Sequence, residues 1–158
     1  MPKRTSLDWA LEIVSLAVLA AIFLTLATYW PELPNRVPRH YGFAGNPNNW
    51  GNRDWMWVLP VTATVIYLSL TVAARYPGLI NLPLTVNRDR PEVRKLLLNM
   101  TLVLKATILF TLAYINWIGI HIALGRAETL GPIFLPVFLA VTFGPIVFYT
   151  QKLWRYRV

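Results

Sequence analysis

Four apolar stretches constrain this chain more than any other feature: residues 9–30, 55–74, 96–124 and 133–153. Each is about as long as the ~20 residues that cross ~30 Å of hydrocarbon. No polar face recurs along them with a helical period, as the helices of a soluble bundle would require. A membrane bundle satisfies its backbone within each helix and tolerates apolar side chains all round. The composition agrees: 14% of residues are charged, against about 25% in a soluble domain. Residues 1–158 are therefore read as one domain, an all-α membrane protein in which four transmembrane helices form an antiparallel bundle.

The net charge of +8 would raise nucleic acid as a partner in a soluble protein. Here the basic residues gather at the ends of the apolar blocks, which points to membrane topology instead. The N-terminal segment carries Lys3 and Arg4. The second connection carries Arg75, Arg88, Arg90, Arg94 and Lys95, and the tail carries Lys152, Arg155 and Arg157. The two alternate connections hold only Arg36, Arg39, Arg53 and Arg126. Both termini are expected in the cytoplasm, with the protein multi-pass in the plasma membrane and the 31–54 connection outside. The bilayer is the first expected partner and nucleic acid is excluded. The first block is longer than a signal-peptide core and lacks a small-x-small cleavage site, so it reads as a retained helix. Without cysteine, the outer connection must be shaped by packing and hydrogen bonds.

Helix signals refine the boundaries. Asp8 and Glu12 suit the first turns of helix 1, where the dipole favours carboxylates. Pro31 and Pro34 forbid its continuation. Pro60 falls early in helix 2, and Tyr76, Pro77 and Gly78 end it. Asn87 or Asp89 is the expected cap of helix 3, with Pro91 in its first turn. Helix 4 is expected to begin at Pro132 and to kink at Gly144–Pro145. The inner connection of about 20 residues is long for a simple turn.

The outer stretch "WPELPNRVPRHYGFAGNPNNWGNRDW" is the most distinctive. Pro31, Pro34 and Pro38 stiffen an extended segment, and Gly42, Gly45 and Gly51 permit turns. Leu33–Pro34, Val37–Pro38, His40–Tyr41, Gly45, Pro47, Asn48, Trp50–Gly51 and Arg53 together resemble the signature of the DUF1648 family. That domain also occurs at the N-terminal end of SdpI-type bacterial immunity and signal-transduction membrane proteins. The inner connection and the start of helix 3 are similar to theirs too, extending the resemblance over nearly the whole chain. Two positions depart: Gly42 stands where asparagine is common, and Asn48 replaces a frequent aspartate. The further SdpI-type region is expected to be missing after the fourth helix.

His40 is the leading residue for recognition or chemistry, since an imidazole can exchange a proton, bind a metal or bridge two loops. His40 and His121 are weak metal candidates, for there is neither cysteine nor an HxxxH spacing. Lys105 is the one charge well inside a block, where insertion scales give a cost of about 2.5–3.5 kcal/mol. Asn116 follows on the same face of helix 3, with Leu109 and Leu112 between them. Lys105 and Asn116 form a polar track in one reading; in the other, to which the length of the third block points, Lys105 snorkels to the inner interface. Tyr114, Trp117 and His121 share a different face, expected to support the outer loop near His40.

These features give three functional expectations. The foremost is a non-catalytic membrane module for recognition or signalling, binding a peptide, a lipid or another membrane protein through the 31–54 loop. Its recognition residues would be His40, Tyr41, Gly45, Pro47, Asn48, Trp50, Gly51 and Arg53. The alternative is an accessory subunit of a larger membrane complex. The third is a small transporter or a metal-linked membrane enzyme. No cofactor motif and no paired nucleophile and base are recognisable.

Overall fold

The structure, a computed structural model, describes residues 4–82 and 84–158; Lys3, counted above among the inner basic residues, lies outside the described residues. Four helices dominate: α1 (Ser6–Tyr29), α2 (Val58–Arg75), α3 (Pro91–Ala123) and α4 (Phe134–Trp154). All four are long and apolar enough to cross a membrane, α2 together with the 3₁₀ turn Arg53–Trp57 that leads into it.

The chain is mostly helical but not all-α. Between α1 and α2 lie two antiparallel strands, β1 (Arg36–Tyr41) and β2 (Pro47–Asn52). Composition hid them, because proline, glycine and asparagine are depleted in strands. The hairpin forms because one face of it is buried against the helices. Val37 is fully buried in a cluster with Leu26, Leu33, Met56 and Ile120. Packing thus overrides local propensity. The register slips between Pro38 and Tyr41, so that Arg39 has no partner across the sheet. Such a bulge re-aims side chains.

Helix boundaries follow local chemistry. At α1, the Thr5 hydroxyl accepts from the Asp8 N–H at 3.4 Å and the Asp8 carboxylate accepts from the Thr5 N–H at 2.6 Å, a reciprocal capping box. At α3 the expected cap is corrected. Arg90 takes the N-cap position with Pro91 behind it, while Asn87 accepts from the Asp89 N–H at 3.0 Å in the turn before. α4 starts at Phe134 rather than Pro132 and remains helical through Gly144 and Pro145. The connection between α2 and α3 is drawn together by Arg88, whose guanidinium donates to the carbonyls of Pro77, Gly78 and Ile80 at 2.8–3.0 Å.

α3 is the central helix. Its 33 residues span about 50 Å at 1.5 Å per residue. Along it, apolar layers pack against α1 and α2, and at its N-terminal end Val93 and Leu97 meet Leu153 of α4. α4 is peripheral, with Leu153 its only fully buried residue.

Candidate functional site

The hairpin has two different faces. On the inner side, strand alternation turns Val37 toward the bundle. Tyr41 follows it inward, and its hydroxyl lies 2.9 Å from where a Cβ on Gly119 of α3 would stand. Burial pushes the Tyr41 phenol up to about 12, because ionisation would leave a charge away from water. At the hairpin tip, the Gly45 carbonyl accepts from the Leu130 N–H at 2.9 Å. Gly45 has φ +79°, a left-handed conformation open to glycine without penalty. Tyr114 donates to the Leu130 carbonyl at 2.7 Å, fixing the other side of that connection.

The outer side carries polar groups. His40 Nδ1 lies 2.6 Å from the Asn48 side-chain oxygen. With an amide oxygen as partner, Nδ1 carries the proton and donates, leaving Nε2 as an acceptor. Asn48 therefore serves His40 where the resemblance would place an aspartate. A shallow polar depression of about 500 Å³ is lined by Asn35, Arg36, Asn48, Asn49, Trp50 and Asn52. Phe43, at the turn, is 94% exposed.

Most of the signature residues have constructional roles. Leu33 and Val37 fill the upper core. A side chain on Gly51 would overlap the Trp55 indole, which lies directly against it. Arg53 stacks on Trp30 with its guanidinium carbon 4.5 Å from the ring centre. Pro47 pairs with Tyr41 across the sheet. His40, Asn48 and Trp50 of the signature are exposed, as are Arg36 and Asn49, which the signature does not contain.

His121 is held apart from His40. Its Nδ1 lies 2.9 Å from the Trp117 carbonyl and its ring stands against Tyr29 and Trp117. Behind the hairpin stand Gly119 and Ile120 of α3, beside the Tyr114, Trp117 and His121 face expected to support it. Of that group Tyr114 contributes through Leu130. Among the described residues no group of three or more His, Asp or Glu side chains is placed to hold a metal.

A second polar centre lies inside the bundle. Lys105 does not snorkel; it is fully buried. Its ammonium contacts the Glu12 carboxylate, donates to the Thr71 hydroxyl at 3.0 Å and sits 4.7 Å above the Tyr67 ring. A helical side chain points toward its helix N-terminus, which directs Lys105 to Glu12 in the second turn of α1. Glu12 also accepts from Arg4 at 3.2 Å, and one turn earlier the buried Asp8 pairs with Lys95. Asn116 is buried too, donating to the Ile22 carbonyl at 3.3 Å. Between Lys105 and Asn116, however, Leu109 packs with Val18, Leu19, Ile22 and Ala63. The two do not form a continuous polar line.

Sequence reasoning noticed Asp8 and Glu12 only as dipole partners and did not pair them with Lys95 and Lys105. The available signal was their i, i+4 spacing on one helix face, against two lysines entering the same side of the bundle on α3.

Four helices long and apolar enough to cross a membrane, closed at one end by a hairpin, define a multi-pass membrane protein. Within it, residues 16–64 match the model of a family described as Domain of unknown function (DUF1648). The match begins in α1, takes in the whole hairpin and ends in α2, so the α2–α3 connection and α3 stand outside it. An uncharacterized protein of Archaeoglobus fulgidus is 30% identical over 101 residues, covering 57% of this chain. The matched region spans 55%, about half, of that relative's length. No solved structure matches the chain.

Proposed function

We propose that the protein is a non-catalytic recognition module in which the bundle holds the 36–52 hairpin outside the membrane and the hairpin's outer face engages a partner. The observation that carries this reading is the two-sidedness of the hairpin. Val37, Tyr41 and Gly45 fasten one face to α3 and the 124–133 connection. Arg36, His40, Asn48, Asn49 and Asn52 leave side-chain donors and acceptors on exposed positions. A surface fixed from behind loses little freedom on binding, which favours recognition. Clustered asparagine amides with Arg36 and Trp50 suit the backbone and carboxylates of an extended peptide segment from a membrane or secreted partner.

The orientation that places the hairpin outside rests on the distribution of basic residues. The test is a photo-reactive amino acid at Asn49 in native membranes, with Val137 on the lipid-exposed side of α4 as control. The reading expects one discrete protein adduct from Asn49 and none from Val137. Lipid adducts alone at both positions would count against it.

One observation favours a second reading, as an accessory subunit. α4 touches the rest of the bundle along one side only, and its Val137, Leu139, Phe143 and Val147 are exposed. A protein adduct at Val137 rather than Asn49 would select that reading.

A further inference from the structure

Three arginines of the outer region lie on tryptophan faces: Arg36 on Trp50 at 5.3 Å, Arg39 on Trp55 at 4.9 Å and Arg53 on Trp30 at 4.5 Å. They differ in place. Arg36 and Trp50 stand on the hairpin face opposite Val37 and Gly51, away from the bundle. Arg39 and Arg53 lie over indoles at the helix ends. Trp30 ends α1, and Trp55 belongs to the turn that starts α2.

Below Arg53 the aromatic contacts continue into the bilayer. Trp30 lies 5.6 Å from Trp57, and Trp57 lies 6.3 Å from Phe23. Phe23 sits two turns inside the apolar α1 helix and is exposed on its surface. The column Phe23–Trp57–Trp30 therefore fixes the depth of Arg53. Aromatic rings of this kind mark the headgroup level of a bilayer, so the guanidinium crowns the ladder where lipid phosphates are found.

Neither arginine is neutralised locally. Among the described residues no carboxylate forms an ion pair with Arg39 or Arg53. Glu32, two residues from Trp30, is taken by Arg126 at 2.8 Å. Asp54 is exposed beside Arg53 and makes no ion pair with either. A guanidinium lying over a ring keeps its planar N–H edge free, the geometry that grips a phosphate with two parallel hydrogen bonds.

We propose that Arg39 and Arg53, seated on Trp55 and Trp30, form a binding site for the phosphodiester headgroup of an anionic phospholipid. The tryptophans hold the guanidinium planes and bury against the acyl boundary, while the N–H edges take the phosphate. The ladder thereby sets the depth of the hairpin relative to the membrane surface. The site is independent of any partner on the outer hairpin face.

The test is native mass spectrometry of the full chain released from nanodiscs containing phosphatidylglycerol and phosphatidylcholine. The wild-type protein is expected to retain phosphatidylglycerol preferentially. Arg39→Gln and Arg53→Gln should each lower that preference about fivefold, the effect of about one basic residue at an anionic surface, while Arg36→Gln leaves it unchanged. Equal retention of both lipids by the wild type, or an undiminished preference in the double variant, overturns the proposal. Loss of the adduct to added inorganic phosphate at constant ionic strength also overturns it, by making free phosphate the ligand. Should the double variant lose its helical circular dichroism, the wild type carries the test through nitrogen–phosphorus dipolar recoupling in bilayers. Dephasing of the Arg39 and Arg53 guanidinium signals by lipid phosphorus is expected, and its absence overturns the proposal.

Discussion

The Tyr41 hydroxyl occupies the space above Gly119, 2.9 Å from the position of a Cβ that the glycine lacks. Strand β1 and helix α3 are joined at this point by shape. Gly119→Val should therefore expel the phenol and loosen the hairpin, with the 1–3 kcal/mol loss typical of overpacking, about the same range as a strained core insertion. Thermal unfolding in detergent should show a lowered midpoint, and the combination of Gly119→Val with Tyr41→Ala should recover part of it. Equal midpoints for wild type and Gly119→Val would refute the contact.

The same burial sets a pH response. Tyr41 is held protonated until about pH 12, whereas in the unfolded chain a tyrosine ionises near about 10. The unfolded state thus gives up its proton first, and this group's contribution to stability, full below about pH 10, is lost as pH rises toward 12. The difference between the tyrosinate absorbance titrations of wild type and Tyr41→Phe should isolate one group ionising at about 12. A difference curve centred near about 10 would contradict the buried placement.

The Lys105–Glu12 pair gives an asymmetric prediction. Glu12→Leu leaves the fully buried Lys105 with only a hydroxyl and a ring, whereas Lys105→Met leaves Glu12 bonded to Arg4. Removing the carboxylate should cost about 3–5 kcal/mol, the usual penalty for stranding one partner of a buried pair, and removing the lysine less. The double variant Glu12→Leu with Lys105→Met should be more stable than Glu12→Leu alone. A double-mutant cycle of chemical unfolding measures this, and additive losses would rule out the coupling.

Gly51 and Gly45 test the construction of the hairpin in different ways. Gly51→Ala puts a methyl group into the Trp55 indole, so the tryptophan should move and its fluorescence maximum shift. Gly45→Ala forces a side chain into φ +79°, at about 1–2 kcal/mol, and crowds Leu130. That variant should lower the unfolding midpoint with little change at Trp55.

The helices were legible because twenty-residue apolar runs have few other solutions. Their ends were mostly legible from prolines and aromatics, although Arg90 rather than Asn87 or Asp89 caps α3. The hairpin was not, since "RVPRHY" and "PNNWGN" lack the alternation and β-branched residues of an ordinary strand pair; Val37, Tyr41 and Gly119 make it through contacts distant in sequence. The surroundings of Lys105 escape the sequence for a related reason. Snorkelling is judged from one helix, whereas its partner Glu12 lies 93 residues away on another. His40 lies on the hairpin's exposed side, and its partner Asn48 is legible in the sequence only as a departure from aspartate.

The central claim is that the hairpin is a platform formed before any partner arrives, fixed from within and free on its outer face. Amide hydrogen exchange of the purified chain in nanodiscs tests it most directly. The account predicts slow exchange for the paired amides of 36–52 and for the Leu130 N–H bonded to Gly45, with fast exchange at the turn around Phe43. Uniformly fast exchange across 36–52 in the isolated protein would contradict it.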